Sequence, residues 1–333
     1  MQQLRIGIIG CGGIANCHAK AYAKLDGIEF TAFCDVVEPK AATFVEQYGG
    51  EAFGSVDAML DADRLDAVSV ATTPTAHCGP AVAALNRGVH VLSEKPLAGS
   101  VADAAAMVQA AEKSNTILMT GYPYRFRVEI VTVQELLKGG AIGTPLFAHN
   151  TFSAHFDGVA KTWFVNRAIS GGGIVLDNGS HAIDLFHHLF GDTRRAHASL
   201  KRLNETIDVE DTALILTEHE SGVSGTIELS WWVPAPREWY LEIYGTQGTI
   251  QVKYGQVRHR DAASADWTTH PGCTDFQDGF DRQIAHFVQC VRTGTTPMVT
   301  GRDGLRAIEV IEHLYRQAPA EVTGREQESA QRS

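Results

Sequence analysis

The sequence predicts an α/β protein: a doubly wound parallel sheet of the Rossmann kind, followed by an α+β domain built on a mostly antiparallel sheet. Three observations carry this. A short apolar run, Leu4–Ile9, enters the glycine-rich turn Gly10-Cys11-Gly12-Gly13-Ile14-Ala15. Strand-like and helix-like stretches then alternate as far as Gly121. From Leu146 the texture changes to strands joined by short turns. With 333 residues there is room for two domains, expected at 1–121 and 122–333.

Leu4–Ile9 reads as a buried strand and Ala15–Lys24 as the helix after it. Glycines at 10, 12 and 13 permit a tight turn and let a pyrophosphate approach the backbone. The helix N-terminus supplies N–H groups and a partial positive charge. Gly10, Gly12, Gly13 and Ile14 are therefore the candidate phosphate cradle. A second strand, Phe30–Cys34, ends at Asp35, where a carboxylate accepts hydrogen bonds from adenosine ribose hydroxyls. No arginine follows: Val36, Val37 and Glu38 come next. A 2′-phosphate would meet carboxylates without a cation, so NAD is favoured over NADP. Cys11 reads as filler inside the turn.

The alternation continues. Glu38–Tyr48 reads as a helix and Asp66–Ala71 as a strand, with Thr72-Thr73-Pro74-Thr75-Ala76-His77 at its carboxyl end. A helix runs to Arg87 and stops at Gly88. Val89–Ser93 is the next strand and leads into Glu94-Lys95-Pro96. Ser100 and Asp103 resemble a capping box opening a helix to Lys113, before the strand Thr116–Met119. Ligands of doubly wound sheets bind outside the carboxyl ends of the strands. Thr72, Thr73, Pro74, His77, Glu94 and Lys95 are therefore candidate cofactor contacts. The alternatives are a plain surface lysine at 95 and a helix N-terminal residue at 77.

Gly121-Tyr122-Pro123-Tyr124-Arg125-Phe126 reads as the crossover between domains, and Val128–Lys138 as a helix closed by Gly139. Strands are expected at Leu146–Ser153, Ala196–Leu203, Thr212–Thr217, Gly225–Trp231, Glu238–Tyr244 and Thr249–Tyr254, with a hairpin turn at Gly245–Gly248. Several carry apolar residues on both faces, which suggests a subunit interface. Asp278–Arg292 is an amphipathic helix with Phe280, Ile284, Phe287, Val288 and Val291 inward. Asp303–Tyr315 is the last helix, and the polar stretch from Ala318 is expected to fray.

Between these strands lies the stretch richest in chemistry. Gly171-Gly172-Gly173 reads as a flexible run-in to a helix carrying Asp177, His181 and Asp184. Asp177 and His181 are spaced i, i+4, so they share one helix face, with Asp184 on the same side. A carboxylate, an imidazole and a second carboxylate suit proton transfer to a hydroxyl. A helix cap with a paired core histidine is the competing reading. His155, Asp157, Asn166 and Arg167 add polar candidates, and Trp163 either stacks on a sugar face or fills the core.

Composition bounds the partners. The net charge of −11 disfavours nucleic acid and anionic membranes. No apolar stretch is long enough for a secretory signal or a bilayer span. The six cysteines form no C-x-x-C, so no structural metal is expected, and a reduced cytoplasmic protein fits best.

The Gly10 turn, Thr73-Pro74-x-x-His77, Glu94-Lys95-Pro96 and Asp177-x-x-x-His181 stand in order along nearly the whole chain. With the weaker Gly245-Thr-Gln-Gly248 and Cys290-Val-Arg-Thr-Gly294, the chain resembles the glucose–fructose oxidoreductase/inositol dehydrogenase (Gfo/Idh/MocA) family. The resemblance implies a Rossmann domain and a large open-faced sheet domain with the site between them. It implies that Lys95 orients the substrate hydroxyl, that His181 is the acid/base and that Asp177 sets it. It gives Asp184 as a substrate ligand and Tyr122 and Arg125 as substrate-side residues of the crossover, although Pro123-Tyr124 departs from the commoner polar form. The activity so implied is hydride transfer between NAD and a secondary alcohol of a sugar, inositol or related polyol; the apolar residues on both faces of the Ala196–Tyr254 sheet lead us to expect a homodimer or homotetramer. The rivals are an NAD-dependent glycosidase or tight-cofactor oxidoreductase of the same fold, a non-catalytic sugar-sensing regulator, and a reductase of non-sugar rings.

Overall fold

The computed structural model of the protein describes residues 3–62, 65–234 and 237–323. The chain forms two compact units. One comprises the residues up to Arg127 with Asp275–Ile308, the other Val128–Thr274 with the segment from Glu309.

The first unit begins β1 (Leu4–Ile9), α1 (Gly13–Tyr22), β2 (Ile28–Cys34), α2 (Glu38–Tyr48), β3 (Glu51–Phe53) and α3 (Val56–Ala62). It continues β4 (Ala67–Val70), α4 (Cys78–Asn86), β5 (His90–Glu94), α5 (Val101–Ser114) and β6 (Leu118–Gly121). The six strands form one parallel sheet in the order β3-β2-β1-β4-β5-β6. Its core joins Val68, Val70 and Val91 of the strands to Ala81 and Leu85 of α4 and Met107 of α5. Strand order reverses between β1 and β4, which puts the switch point at the carboxyl ends of those strands. Ser100 caps α5 as its spacing predicts, accepting from the Asp103 N–H at 3.1 Å. The short β3 and α3 carry little burial pattern and are not evident in the sequence.

The second unit holds α6 (Val128–Lys138), β7 (Pro145–Thr151), α7 (Arg167–Ser170), α8 (Ile174–Phe190), β8 (Thr193–Lys201), β9 (Thr212–His219) and β10 (Ser224–Ser230). It goes on with β11 (Leu241–Gly245), β12 (Gly248–Lys253), β13 (Gln256–Asp261) and β14 (Thr268–Pro271). The sheet order is β14-β13-β12-β11-β7-β10-β9-β8. All neighbours are antiparallel except β7 and β10, which run parallel. Two glycines let α8 close on this sheet. A Cβ on Gly225 would lie 2.4 Å from the Phe186 ring, and one on Gly179 would lie 3.1 Å from Leu229. Ile215, Ile227 and Leu229 are buried, whereas Leu214, Leu216 and Phe147 are 48%, 54% and 59% exposed.

After β14 comes α9 (Phe276–Thr293), which belongs to the first unit; α10 (Gly301–Gln317) is divided between the units after Ile308. α9 packs on α1. Gln277 donates to the Cys17 carbonyl at 2.9 Å, Lys24 pairs with Asp281 at 2.5 Å, and the His18 and Phe280 rings lie 5.8 Å apart. The first unit runs on to Arg127 and also takes in Asp275–Ile308. The apolar face of α9 is legible in the sequence, but its partner, more than 250 residues earlier in the chain, is not. The stretch expected to fray starts with a last short helix, α11 (Ala320–Thr323). Residues 324–333 lie outside the described ones.

Candidate functional site

In the first unit, the candidate residues gather where the strands of the parallel sheet end. Gly10 has φ +87°, and a Cβ there would lie 2.8 Å from the Ala71 and Thr72 backbone, so the turns after β1 and β4 approach as only glycine allows. Gly12 is the N-cap of α1 and no side chain caps that end. A Cβ on Gly12 or Gly13 would meet no atom within 4 Å. An uncapped helix start with open space at two glycines fits the pyrophosphate of a dinucleotide. Asp35 accepts from the Cys11 N–H and the Val37 N–H, each at 2.8 Å, and so ties the glycine turn to the end of β2. Burial, and then the Asp35 charge, push the Cys11 thiol up to about 12, which keeps it protonated and unreactive as filler.

The two loops after β4 and β5 are joined by His77. The ring is buried, with Nδ1 2.9 Å from the Pro96 carbonyl and Nε2 3.1 Å from the Thr72 carbonyl. Burial lowers its pKa against the pull of those carbonyls. The ring thus bridges the loops that carry Thr72 and Pro96. Thr73 opens the short turn Pro74–Ala76 and Pro74 is buried. Glu94 is buried at the end of β5, accepts from His18 Nε2 at 2.8 Å and receives the Lys95 N–H at 3.1 Å. Lys95 itself is half-buried.

Beyond β6, Tyr122 is fully buried. Arg125 is 4% exposed and donates to the Met298 carbonyl and to Asp303, each at 3.3 Å. Burial alone would raise Asp303, but the Arg125 guanidinium and the Thr300 donors outweigh it and hold that carboxyl below its ordinary range. Arg125 thus ties the crossover after β6 to the start of α10.

In the second unit, α8 carries Asp177, His181 and Asp184. Asp177 and His181 are half-buried and neighbours by helical spacing; Asp184 is buried. The Phe152 ring stands edge-on to His181 with centroids 6.5 Å apart, and Asn178 donates to the Phe152 carbonyl at 2.9 Å. The helix start is fixed from a distance. Glu210 accepts from the Gly173 N–H at 3.1 Å, the Val175 N–H at 3.0 Å and the Tyr315 hydroxyl at 2.6 Å. Burial raises the Glu210 pKa against these bonds. The run-in expected to be flexible is instead a close-contact site: a Cβ on Gly173 would lie 1.9 Å from the Glu210 carbonyl oxygen, and one on Gly172 2.3 Å from the Tyr315 hydroxyl.

The remaining candidates of this unit divide. His155 lies 2.8 Å from Asp157, and Trp163, stacked on Phe164 with centroids 4.1 Å apart, is 38% exposed. Both are partly exposed. Asn166 caps α7 through Ala168 N, and the Arg167 backbone N–H donates to Asp208. Among the described residues, no group of three or more histidines, cysteines or acids is arranged to hold a metal ion. No helix among them is long and apolar enough to cross a membrane.

Residues 4–122 match the oxidoreductase family with an NAD-binding Rossmann fold, and residues 130–251 match the GFO/IDH/MocA C-terminal domain. The chain belongs to the Gfo/Idh/MocA family. The D-apiose dehydrogenase of Paraburkholderia graminis is 32% identical over 323 residues, covering 92% of this chain and 86% of that protein. The myo-inositol 2-dehydrogenase of Thermotoga maritima is 27% identical over 319 residues, covering 92% and 93%. A crystal structure of an oxidoreductase from Agrobacterium radiobacter in complex with NAD+, L-tartaric acid and magnesium has a TM-score of 0.85 at 26% identity, over 94% of this chain and 96% of that one.

In this Gfo/Idh/MocA oxidoreductase two buried groups, one in each unit, lie outside the motifs. His18 stands at a core position of α1, between Ala15 and Tyr22, where a polar residue breaks an otherwise apolar face. Glu210 is an acid just before the apolar strand β9, paired with the equally buried Asp211. Each signal is visible in the sequence as a charged or titratable residue in a core pattern.

Proposed function

We propose that this protein is an NAD(H)-dependent dehydrogenase acting on a secondary alcohol of a sugar, inositol or related polyol. The observation that carries the reading is the uncapped glycine turn of α1 on the same sheet end as Lys95, in a chain whose α8 bears the Asp177/His181 pair. Gly10, Gly12, Gly13, Ile14 and Asp35 would hold NAD, with Thr72, Thr73, Pro74 and Glu94 supporting the nicotinamide end. The bound cofactor supplies the hydride acceptor. Lys95 orients the substrate hydroxyl and favours its alkoxide. His181 takes the hydroxyl proton as the hydride leaves the same carbon, and Asp177 supports the imidazolium. Asp184, His155, Trp163 and Tyr122 are proposed to contact the substrate.

The names of the relatives support a pentose such as D-apiose or a cyclitol such as myo-inositol as first substrates to try. The charge of −11 supports a small-molecule partner rather than nucleic acid, and a reducing cytoplasm suits the unbridged cysteines. The exposed Leu214, Leu216 and Phe147 on one sheet face support a homodimer or homotetramer.

The test is a screen of aldoses, pentoses and cyclitols with NAD+ at mildly alkaline pH, following NADH absorbance. Turnover of at least one is expected. His181→Ala should then lose at least ~10²-fold in kcat, the scale of general-base catalysis, while still binding NADH by fluorescence. Near-normal turnover by His181→Ala would make Asp177 and His181 a structural pair. Retention of NAD through purification with no turnover would favour the tight-cofactor rivals.

A further inference from the structure

We propose that His18 is a positioning residue for Lys95, acting through the Glu94 carboxylate; the inference rests on the role given to Lys95 above. Four buried side chains from three elements form one hydrogen-bonded chain. Tyr22 Oη lies 3.1 Å from Ser69 Oγ, Ser69 Oγ lies 3.0 Å from His18 Nδ1, and His18 Nε2 lies 2.8 Å from Glu94 Oε1. Glu94 Oε2 then receives the backbone N–H of Lys95 at 3.1 Å.

One direction of the bonds satisfies every group: Tyr22 donates to Ser69, Ser69 donates to His18 Nδ1, and the ring proton on Nε2 is donated to Glu94. Every donor in the chain is used, and the last acceptor is a carboxylate whose second oxygen holds the lysine backbone.

The carboxylate has little freedom. Gly121 pairs with Glu94 across β5 and β6, and a Cβ there would lie 2.8 Å from Glu94 Oε1. Glu94 thus sits against β6, held by His18 on one oxygen and holding Lys95 N on the other. The direction in which Lys95 leaves the strand is set by this arrangement. His18 belongs to α1, whose N-terminal glycines are the candidate pyrophosphate site. One imidazole therefore ties the helix that receives the cofactor to the residue that receives the hydroxyl.

The test compares His18→Phe, which removes the donor and keeps the bulk, with His18→Gln, whose amide reaches Glu94 as Nε2 does. With the best substrate of the screen, His18→Phe should lower kcat by about 10- to 100-fold, the scale expected of a displaced catalytic group. Its NADH affinity by fluorescence titration should be unchanged, and His18→Gln should recover most of kcat. In a Lys95→Ala background His18→Phe should cost little more, because the two act as a unit. If the Phe variant does not fold, His18→Asn, too short to reach Glu94, gives the same contrast with Gln. Trace acetylation with acetic anhydride in the presence of NAD+, read by peptide mass spectrometry against Lys113 and Lys138, needs no substrate. The Lys95 rate should change in His18→Phe and return in His18→Gln. An unchanged Lys95 rate, an unchanged kcat, or a loss that Gln does not recover overturns the proposal. Wild-type turnover by Lys95→Ala would instead overturn the reading of Lys95 on which it rests, and the acetylation result then still decides whether His18 positions that side chain.

Discussion

In the proposed site Asp35 has two tasks. Each oxygen accepts one backbone N–H, from Cys11 and from Val37, and each keeps a second lone pair for a ribose hydroxyl. Asp35→Ser should therefore act twice. It should narrow the preference for NAD+ over NADP+, because the repulsion of a 2′-phosphate is gone. It should also lower kcat/KM with NAD+ itself, because the glycine turn loses its tie to β2. Steady-state kinetics with both cofactors read the two effects separately, and an unchanged ratio of the two efficiencies would contradict the first. At this scale the partners of Arg125 and His77 are what the sequence does not reveal. Each is a polar residue beside a candidate ligand site, which is why each reads as a contact. What claims the Arg125 guanidinium is a carboxylate 178 residues away, and no local pattern contains that.

At the scale of the element, α8 shows why a helix in the right sequence register also needs an end fixed by something else. Gly173 is its N-cap and has no side chain to cap with; the carboxylate and the carbonyl of Glu210 take that place. Gly173→Ala puts a methyl 1.9 Å from the Glu210 carbonyl oxygen, a backbone atom that cannot swing away. The expected cost is about 1–3 kcal/mol of stability, the usual range for overpacking, seen as a lower melting temperature. Turnover should fall as well, because the same shift moves Asp177 and His181. Gly12→Ala, where a Cβ meets no atom within 4 Å, should leave the melting temperature near wild type and weaken cofactor binding instead. Equal melting temperatures for the two variants would rule out this account of the glycines. The run Gly171–Gly173 is legible as an interruption before a helix. That two of its members are there for close approach, rather than for flexibility, depends on Glu210 and Tyr315 arriving from elsewhere.

For the molecule as a whole, the parallel sheet was the easier half to read. Each strand–helix–strand step is local, its crossover handedness is fixed by the twist of the strands, and its order follows from the chain. The second sheet pairs strands far apart in sequence, including the parallel β7 and β10, so its strands can be listed but not ordered from the residues alone. Its exposed side is what makes assembly testable. Leu214, Leu216 and Phe147 stand on that side, each about half exposed or more. Light scattering at micromolar concentration should give a dimer or tetramer, and Leu216→Glu should shift it toward the monomer. A monomeric wild type would exclude this face as a subunit contact.

The cap on α8 also has a consequence in time. Glu210 lies 37 residues after Gly173, so at ~5–20 residues per second of synthesis the ribosome delivers it roughly 2 to 7 s later. Tyr315, which completes the bonding of that carboxylate, is a further 105 residues behind. Before Glu210 emerges the helix bearing Asp177 and His181 lacks its cap, and before Tyr315 emerges it lacks the support behind that cap. The residues proposed for the chemistry thus wait on later parts of the chain, and a nascent chain stalled before residue 210 would display them without yet being able to hold them.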